Sequence, residues 1–158
     1  MDDTVALQLI AFNQLYKELD GLYHRYAKYC GLSDAAFWVI YSVQESEGAY
    51  TQKELCAAWS YSKQTVNSAL KSLESQGIIE LIPVPGNRKN KQIFLTGPGK
   101  ALAEKTVIPL MEAEKNAFGN MSDKERGEFL RLTKKHMTLL HTQINLLIKS
   151  PSEDASSK

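Results

Sequence analysis

Small polar and basic side chains are concentrated in one short stretch, SYSKQTVNSALKSLESQGIIEL, which spans residues 60–81. Amide groups can pair with adenine, hydroxyls can donate to or accept from bases and phosphates, and lysine can reach guanine or phosphate. The residues that face away from the apolar positions of the stretch are Ser62, Lys63, Gln64, Thr65, Asn67, Ser68 and Lys71. These residue types favour contact with nucleic acid, although a solvated surface helix can carry them as well.

One side of the same stretch is apolar at helical spacing. Ser62 can cap a helix, and Gly77 is placed to end it after Gln76. The apolar positions, at offsets of 0, 3, 4 and 7, are Val66, Ala69, Leu70 and Leu73. We therefore expect one helix over residues 62–76 that packs on a core through these four side chains.

A shorter helix precedes it. The sequence TQKE at Thr51–Glu54 is a capping box, in which the threonine hydroxyl and the glutamate carboxylate each accept a backbone N–H of the first turn. The helix is expected to run through Trp59 and to stop at SYS, residues 60–62. Two short helices with a tight junction predict a helix-turn-helix.

The residues after Gly77 have the character of strands. IIELIPV and KQIFLT predict a hairpin, with PGNRKN at residues 85–90 as its turn. The candidate contact residues of this hairpin are Asn87, Arg88, Lys89 and Lys91. A helix-turn-helix followed by a basic hairpin is the order of a winged helix, whose second helix lies in the major groove while the wing contacts the backbone or a minor groove. The alternative is an exposed basic turn without a ligand.

Positive charge is concentrated in this part of the chain. Seven basic and three acidic residues lie between Thr51 and Lys100, a net charge of +4, whereas all 158 residues together carry only +1. The length fits a single domain over residues 1–150, with a winged module at 33–97, flanking helices at 1–31 and 98–149, and a disordered tail at 151–158. The predicted fold class is mainly α with a small β-hairpin.

The flanking helices are amphipathic and long. The first has apolar residues at intervals of three to five, and SDKE at Ser122–Glu125 is a second capping box that opens the last helix. Together the three long helices have more apolar surface than one small winged module can cover, so a helical core shared between two chains is the simplest arrangement.

Several classes of protein are disfavoured. We expect a cytoplasmic protein without a membrane partner, since there is no long apolar run and the N-terminus is acidic before it is apolar. The chain has no Gly-rich phosphate loop, nucleophile elbow or poised carboxylate pair, so we expect neither an enzyme nor a cofactor. His136 and His141 are five residues apart, off a common helical face, and no metal site is predicted.

Residues 55–104, LCAAWSYSKQTVNSALKSLESQGIIELIPVPGNRKNKQIFLTGPGKALAE, resemble the core of the MarR-type bacterial transcriptional regulators, including the LT..G sequence that leads into a long helix. The resemblance implies a homodimer with intertwined terminal helices that binds double-stranded DNA at a pseudo-palindromic operator, and we expect a ligand-responsive repressor. Asn87 and Lys89 stand where the family often has Asp and Arg, so the brace that would rigidify the wing is missing. The alternative function is a winged helix used for protein assembly without specific DNA binding.

The resemblance also implies a small-molecule effector bound between the dimer helices and the DNA-binding module. Aromatic residues that could line a pocket for a flat organic ligand are Tyr16, Tyr23, Tyr26, Phe37, Trp38 and Tyr41. The same residues could instead be core and dimer interface. Some relatives sense oxidants through a cysteine, but neither Cys30 nor Cys56 occupies the N-terminal position of that sensor, so we expect DNA binding to be unchanged by peroxide.

Overall fold

The structure is a computed structural model that describes residues 3–46, 50–59 and 61–149. Its elements follow in the order α1 (Asp3–Tyr29), α2 (Asp34–Glu45), α3 (Gln52–Trp59), α4 (Lys63–Ser75), β1 (Ile79–Val84), β2 (Asn87–Leu95), α5 (Gly97–Gly119) and α6 (Asp123–Lys149). The mainly α fold with one β-hairpin is therefore confirmed. The predicted disordered tail at 151–158 lies outside the described residues.

The chain divides into two units, residues 1–111 and 112–158. The first unit holds α1 to α4, the hairpin and the first part of α5, and the second holds the remainder of α5 and α6. The single domain over residues 1–150 stays a prediction.

Local capping chemistry sets the ends of α4. The Ser62 hydroxyl accepts a hydrogen bond from the Thr65 backbone N–H at 3.0 Å. At the other end Gly77 adopts a φ of +69°, and its N–H donates to the Glu74 carbonyl at 2.9 Å. The Ile78 N–H donates to the carbonyl of Leu73, also at 2.9 Å. This pair of bonds is a Schellman motif, which needs a residue with positive φ and so explains the glycine.

The core of the first unit joins the winged module to α5. Its largest fully buried apolar side chains are Phe37, Ile40, Leu55, Val66, Leu70, Leu73, Ile79, Ile93 and Val107. They come from α2, α3, α4, both strands and α5. Val66, Ala69, Leu70 and Leu73 are all buried, as the spacing predicts, so α4 is fixed on the core and its other face is left outward.

Two helices keep large apolar side chains in contact with solvent. On α1, Leu7, Ile10 and Leu15 are each more than 60% exposed. On α6, in the second unit, Phe129 and Ile144 are exposed and Leu147 is 76% exposed. No helix in the described part of the chain is long and apolar enough to cross a membrane.

Candidate nucleic-acid interface

The N-terminus of α3, the helix that precedes α4, is capped by its own side chains and hydrogen-bonded to β2 of the wing. The Thr51 backbone N–H donates to the Glu54 carboxylate at 2.8 Å, and the Glu54 N–H donates to the Thr51 hydroxyl at 3.3 Å. The hydrogen bond from the Thr51 backbone lowers the pKa of Glu54. A β-bridge joins Thr51 to Gln92, and the Ile93 N–H donates to the Tyr50 carbonyl at 2.9 Å. The start of the helix-turn-helix is thereby attached to the wing.

The polar face of α4 lies outward as the sequence predicts. Of the seven candidate residues, those that are exposed are Ser62, Lys63, Gln64, Thr65, Ser68 and Lys71. Asn67 is half-buried. The first turn of α4 contains no acidic residue, so the positive end of its helix dipole is not neutralised there. An anion or a base edge can approach this end of the helix.

Three of the candidate side chains have partners within the protein. The Ser62 hydroxyl caps α4 and lies 2.7 Å from the Thr65 hydroxyl. Asn67 accepts a hydrogen bond through its Oδ1 from the Nε2 of Gln52 on α3. Gln52 is a residue that the sequence did not single out, because nothing in the spacing of an α3 residue shows which α4 side chain it meets. Among the described residues, Lys63 and Gln64 have no side-chain hydrogen bond.

The N-terminus of α2 lies next to the polar face of α4. An open cleft of about 500 Å³ runs between the two helices. Its lining includes Ser33 and Ala36 from the start of α2, and Gln64, Thr65 and Ser68 from α4. The Ser33 hydroxyl accepts from the Ala36 N–H at 3.2 Å and caps α2. The start of α2 was not predicted as part of the interface, and it borders the face that would meet the DNA.

The hairpin turn is shorter than the sequence suggests. Only Pro85 and Gly86 form the turn, and β2 already begins at Asn87, so the predicted turn over residues 85–90 is wrong in its last four residues. Gly86 has a φ of +77°, which fits the third position of a type II turn with proline before it. Two residues therefore suffice to reverse the chain.

The residues of β2 that have no pairing partner in β1 form a β-bulge. Pro83 pairs with Lys91 and Val84 pairs with Asn87, so β2 advances by four residues while β1 advances by one. Proline has no N–H to donate to the ladder, and regular pairing stops there. Asn87 and Lys89 are exposed and Lys91 is half-buried. The side chain of Arg88 lies outside the described residues. The basic part of the wing is thus a bulged strand and not an open loop.

The LT..G sequence fixes the wing to α5. The Thr96 hydroxyl accepts from the Gly99 N–H at 3.1 Å and donates to the Ile78 carbonyl at 3.1 Å. A Cβ on Gly99 would lie 2.0 Å from the same carbonyl oxygen. The end of β2, the residue before β1 and the start of α5 therefore meet at one point, where only glycine fits.

Five of the six aromatic candidates for a ligand pocket pack against one another. Trp38 stacks on Trp59 at 4.3 Å between ring centroids, and Phe37 contacts Trp38 edge-on at 5.6 Å. The Tyr26 hydroxyl donates to the Thr106 carbonyl at 2.8 Å, and burial raises the pKa of Tyr26. The other two members are Tyr23 and Tyr41. Tyr16 lies apart, 65% exposed, beside Phe12.

The cluster joins α1 to the helix-turn-helix through α2. Trp59 is the last residue of α3, and its indole N–H donates to the buried Ser42 hydroxyl on α2. The observed ring contacts are those of a packed core, and the ligand pocket stays a prediction. Cys30 and Cys56 are free, half-buried thiols. Within the described residues, no three His, Cys, Asp or Glu side chains are grouped to hold a metal ion.

Comparison with known proteins agrees with this architecture. A sequence model described as the MarR family matches residues 31–89. A MarR family regulator from Neisseria meningitidis is 25% identical, with a TM-score of 0.74 over 87% of this chain and 96% of that one. Among curated proteins, no sequence matches the chain.

Two further structures share the fold. The S. aureus MepR–DNA complex is 18% identical, with a TM-score of 0.65 over 83% of this chain and 96% of that one. Bordetella bronchiseptica BpsR, whose DNA binding is regulated by 6-hydroxynicotinic acid, is 20% identical, with a TM-score of 0.60 over 80% and 90%. The family model matches the winged helix, residues 31–89, and the fold is shared with MarR family regulators over most of the chain, so the winged helix of this protein is of the MarR type.

Proposed function

We propose that this protein binds a pseudo-palindromic operator as a homodimer and represses transcription by occupying it. The observation that carries the proposal is the exposed polar face of α4, with Lys63 and Gln64 unpaired among the described residues, beside a basic bulged wing. The exposed face of α4 would lie in the major groove, with Gln64 and Ser68 at base edges. Lys89 and Lys91 would contact phosphates or the adjoining minor groove.

The homodimer is supported by the apolar faces of α1 and α6. Exposed leucine, isoleucine and phenylalanine side chains recur along both helices at spacings that place several on one side. Apolar faces of this length are covered in stable proteins, and a second copy of the chain offers the same chemistry. Two copies related by a twofold axis would place two α4 helices one DNA turn apart, about 34 Å.

We further propose that a small aromatic effector weakens operator binding. The proposal rests on the aromatic cluster, because Trp59 ends α3 and stacks on Trp38 of α2. A ligand that separated these rings would shift α3, and α4 is connected to α3 by a junction of only three residues, 60–62. Regulation of BpsR by an aromatic acid gives a first class of compounds to test.

Selection of genomic DNA fragments with the purified full-length protein tests the proposal. We expect one enriched motif with twofold symmetry, steeply salt-dependent affinity, and a particle mass in solution twice the 17.7 kDa of the chain. A promoter that carries the motif should be repressed when the protein is present. Salt-independent or absent DNA binding by a folded dimer would instead support the protein-assembly alternative.

A further inference from the structure

One hydrogen bond connects the polar face of α4 to α3. The Nε2 of Gln52, the first residue of α3, donates a hydrogen bond to the Oδ1 of Asn67. Both side chains are half-buried. Asn67 follows Gln64 by three residues and precedes Lys71 by four, so all three lie on one side of α4. The amide of Asn67 is therefore at the candidate interface while its oxygen is held by another helix.

We propose that Gln52 determines base specificity by acting through Asn67, an inference that rests on the proposed function. To pair with adenine, an asparagine amide must present its oxygen to N6–H and its N–H to N7 together. The bond from Gln52 ties Oδ1 to α3, and although that oxygen keeps a second lone pair, the bond fixes which end of the amide is presented. No described residue accepts from the two N–H groups of Asn67 Nδ2.

Two N–H donors match the two acceptors that guanine presents in the major groove, N7 and O6. Asn67 held by Gln52 therefore selects a G·C pair, whereas a free Asn67 would turn its amide to select A·T. Gln52 is a positioning residue, since its effect on the DNA passes through Asn67. The local structure permits a clean test, because the capping box of α3 uses Thr51 and Glu54 and does not involve the Gln52 side chain.

The experiment is selection of binding sites from a random duplex library with the full-length protein and its variants. The Asn67→Ala variant identifies the base pair that Asn67 contacts, because this is the one position of the motif at which the variant should no longer prefer a particular base pair. At that pair we expect G·C for the wild type and a shift to A·T for Gln52→Met. Affinity for the wild-type site should fall roughly threefold to tenfold, the effect of one hydrogen bond.

Two further variants control for structure. Gln52→Glu keeps the length of the side chain, removes its N–H donors and should shift the preference in the same direction. Gln76→Met changes an exposed glutamine at the C-terminal cap of α4, the helix that carries Asn67, and should select the wild-type motif. Circular dichroism establishes that each variant is folded before selection.

Coupling between the two residues decides the mechanism. If Gln52 acts through Asn67, the double variant Gln52→Met/Asn67→Ala binds the wild-type site no more weakly than Asn67→Ala alone. Additive losses, an unchanged G·C preference in Gln52→Met, or A·T at that pair in the wild type would each overturn the inference and leave the proposed function standing. A wild-type protein that selects no motif would overturn both.

Discussion

Gly99 lies against the backbone carbonyl of Ile78, with room for a hydrogen but not for a methyl group: a Cβ at this position would be 2.0 Å from the carbonyl oxygen. The contact occurs where Thr96, just after β2, is hydrogen-bonded to Ile78, the residue before β1, and to the start of α5. Because the obstacle is backbone and not the end of a flexible side chain, the structure cannot give way locally. This point sets the position of the wing relative to α4.

The first prediction follows from that contact. Gly99→Ala should lower the free energy of unfolding by about 1–3 kcal/mol, the usual cost of overpacking a filled site. Gly97→Ala is the matched control, since Gly97 begins the same helix and a Cβ there meets nothing within 4 Å. Urea unfolding of the two variants gives the comparison, and equal stability would show that the contact is not rigid.

The second prediction concerns base contacts. Gln64 is exposed at the start of α4 and its amide has no partner among the described residues, so it is free to contact a base. Gln64→Ala should cost about 1–3 kcal/mol of binding to the selected operator and leave affinity for random DNA nearly unchanged. Fluorescence anisotropy with both duplexes measures the two losses. Equal losses on the two duplexes would place Gln64 at the backbone.

The third prediction concerns the wing, where a substitution should weaken DNA binding without regard to sequence. Lys89 lies on the bulged segment of β2 and is exposed, which suits a phosphate contact. Lys89→Ala should weaken operator and random DNA alike, and should reduce the slope of log affinity against log salt by about 0.9. Lys105→Ala, an exposed lysine on α5, is the charge-matched control and should leave the slope unchanged. A loss confined to the operator would contradict a phosphate role for Lys89.

Helix ends and the buried face of α4 could be predicted from sequence because their determinants are local. Ser62 and Gly77 act on backbone groups within a few residues, and the stripe from Val66 to Leu73 follows directly from helical geometry. The Thr51–Glu54 and Ser122–Glu125 capping boxes are likewise found as predicted. In each case the residue types and their spacing carry all the information that the structure uses.

The bulge of the wing and the partner of Asn67 could not be predicted because they depend on pairing between segments. Alternation in β2 does not show that Asn87 pairs with Val84 while Lys91 pairs with Pro83. Nor does any feature of α3 show that Gln52 reaches Asn67 across fifteen residues of chain. The sequence predicts which side chains contact DNA, and the packing of α3 on α4 determines which of their polar atoms are already hydrogen-bonded within the protein.

The fourth prediction is a pH dependence. Glu54 has a pKa below its ordinary value of 4.5 because it accepts the Thr51 N–H. A lowered pKa in the folded state stabilises the protein above the unfolded pKa, and this contribution is lost as pH falls through the folded value. Glu54→Gln keeps an acceptor but removes the charge, so it should be less stable than wild type near neutral pH and equal to it in acid.

Urea unfolding at a series of values between about pH 7 and pH 3.5 measures this difference. Glu125→Gln should behave in the same way, because the Ser122 N–H lowers the pKa of Glu125 at the start of α6. A stability difference between wild type and Glu54→Gln that did not change with pH would mean that the charge of Glu54 contributes nothing to capping α3.

The last prediction tests the homodimer through α6, where Leu140 and Ile144 are one turn apart and each more than 40% exposed. The double variant Leu140→Glu/Ile144→Glu keeps good helix formers but places two charges in the proposed apolar interface. Light scattering should show a monomer in place of the dimer. Operator affinity should fall by about 100-fold or more, because a single winged helix loses the avidity of two linked half-sites.

Lys135→Glu is the control for this variant, since Lys135 is exposed on the opposite side of α6 and should remain outside the interface. It should stay dimeric and keep nearly all of the operator affinity, apart from a small long-range effect of charge. A dimer with wild-type affinity from Leu140→Glu/Ile144→Glu would show that this face of α6 is not the contact. A monomer that still bound the operator tightly would separate dimer formation from recognition.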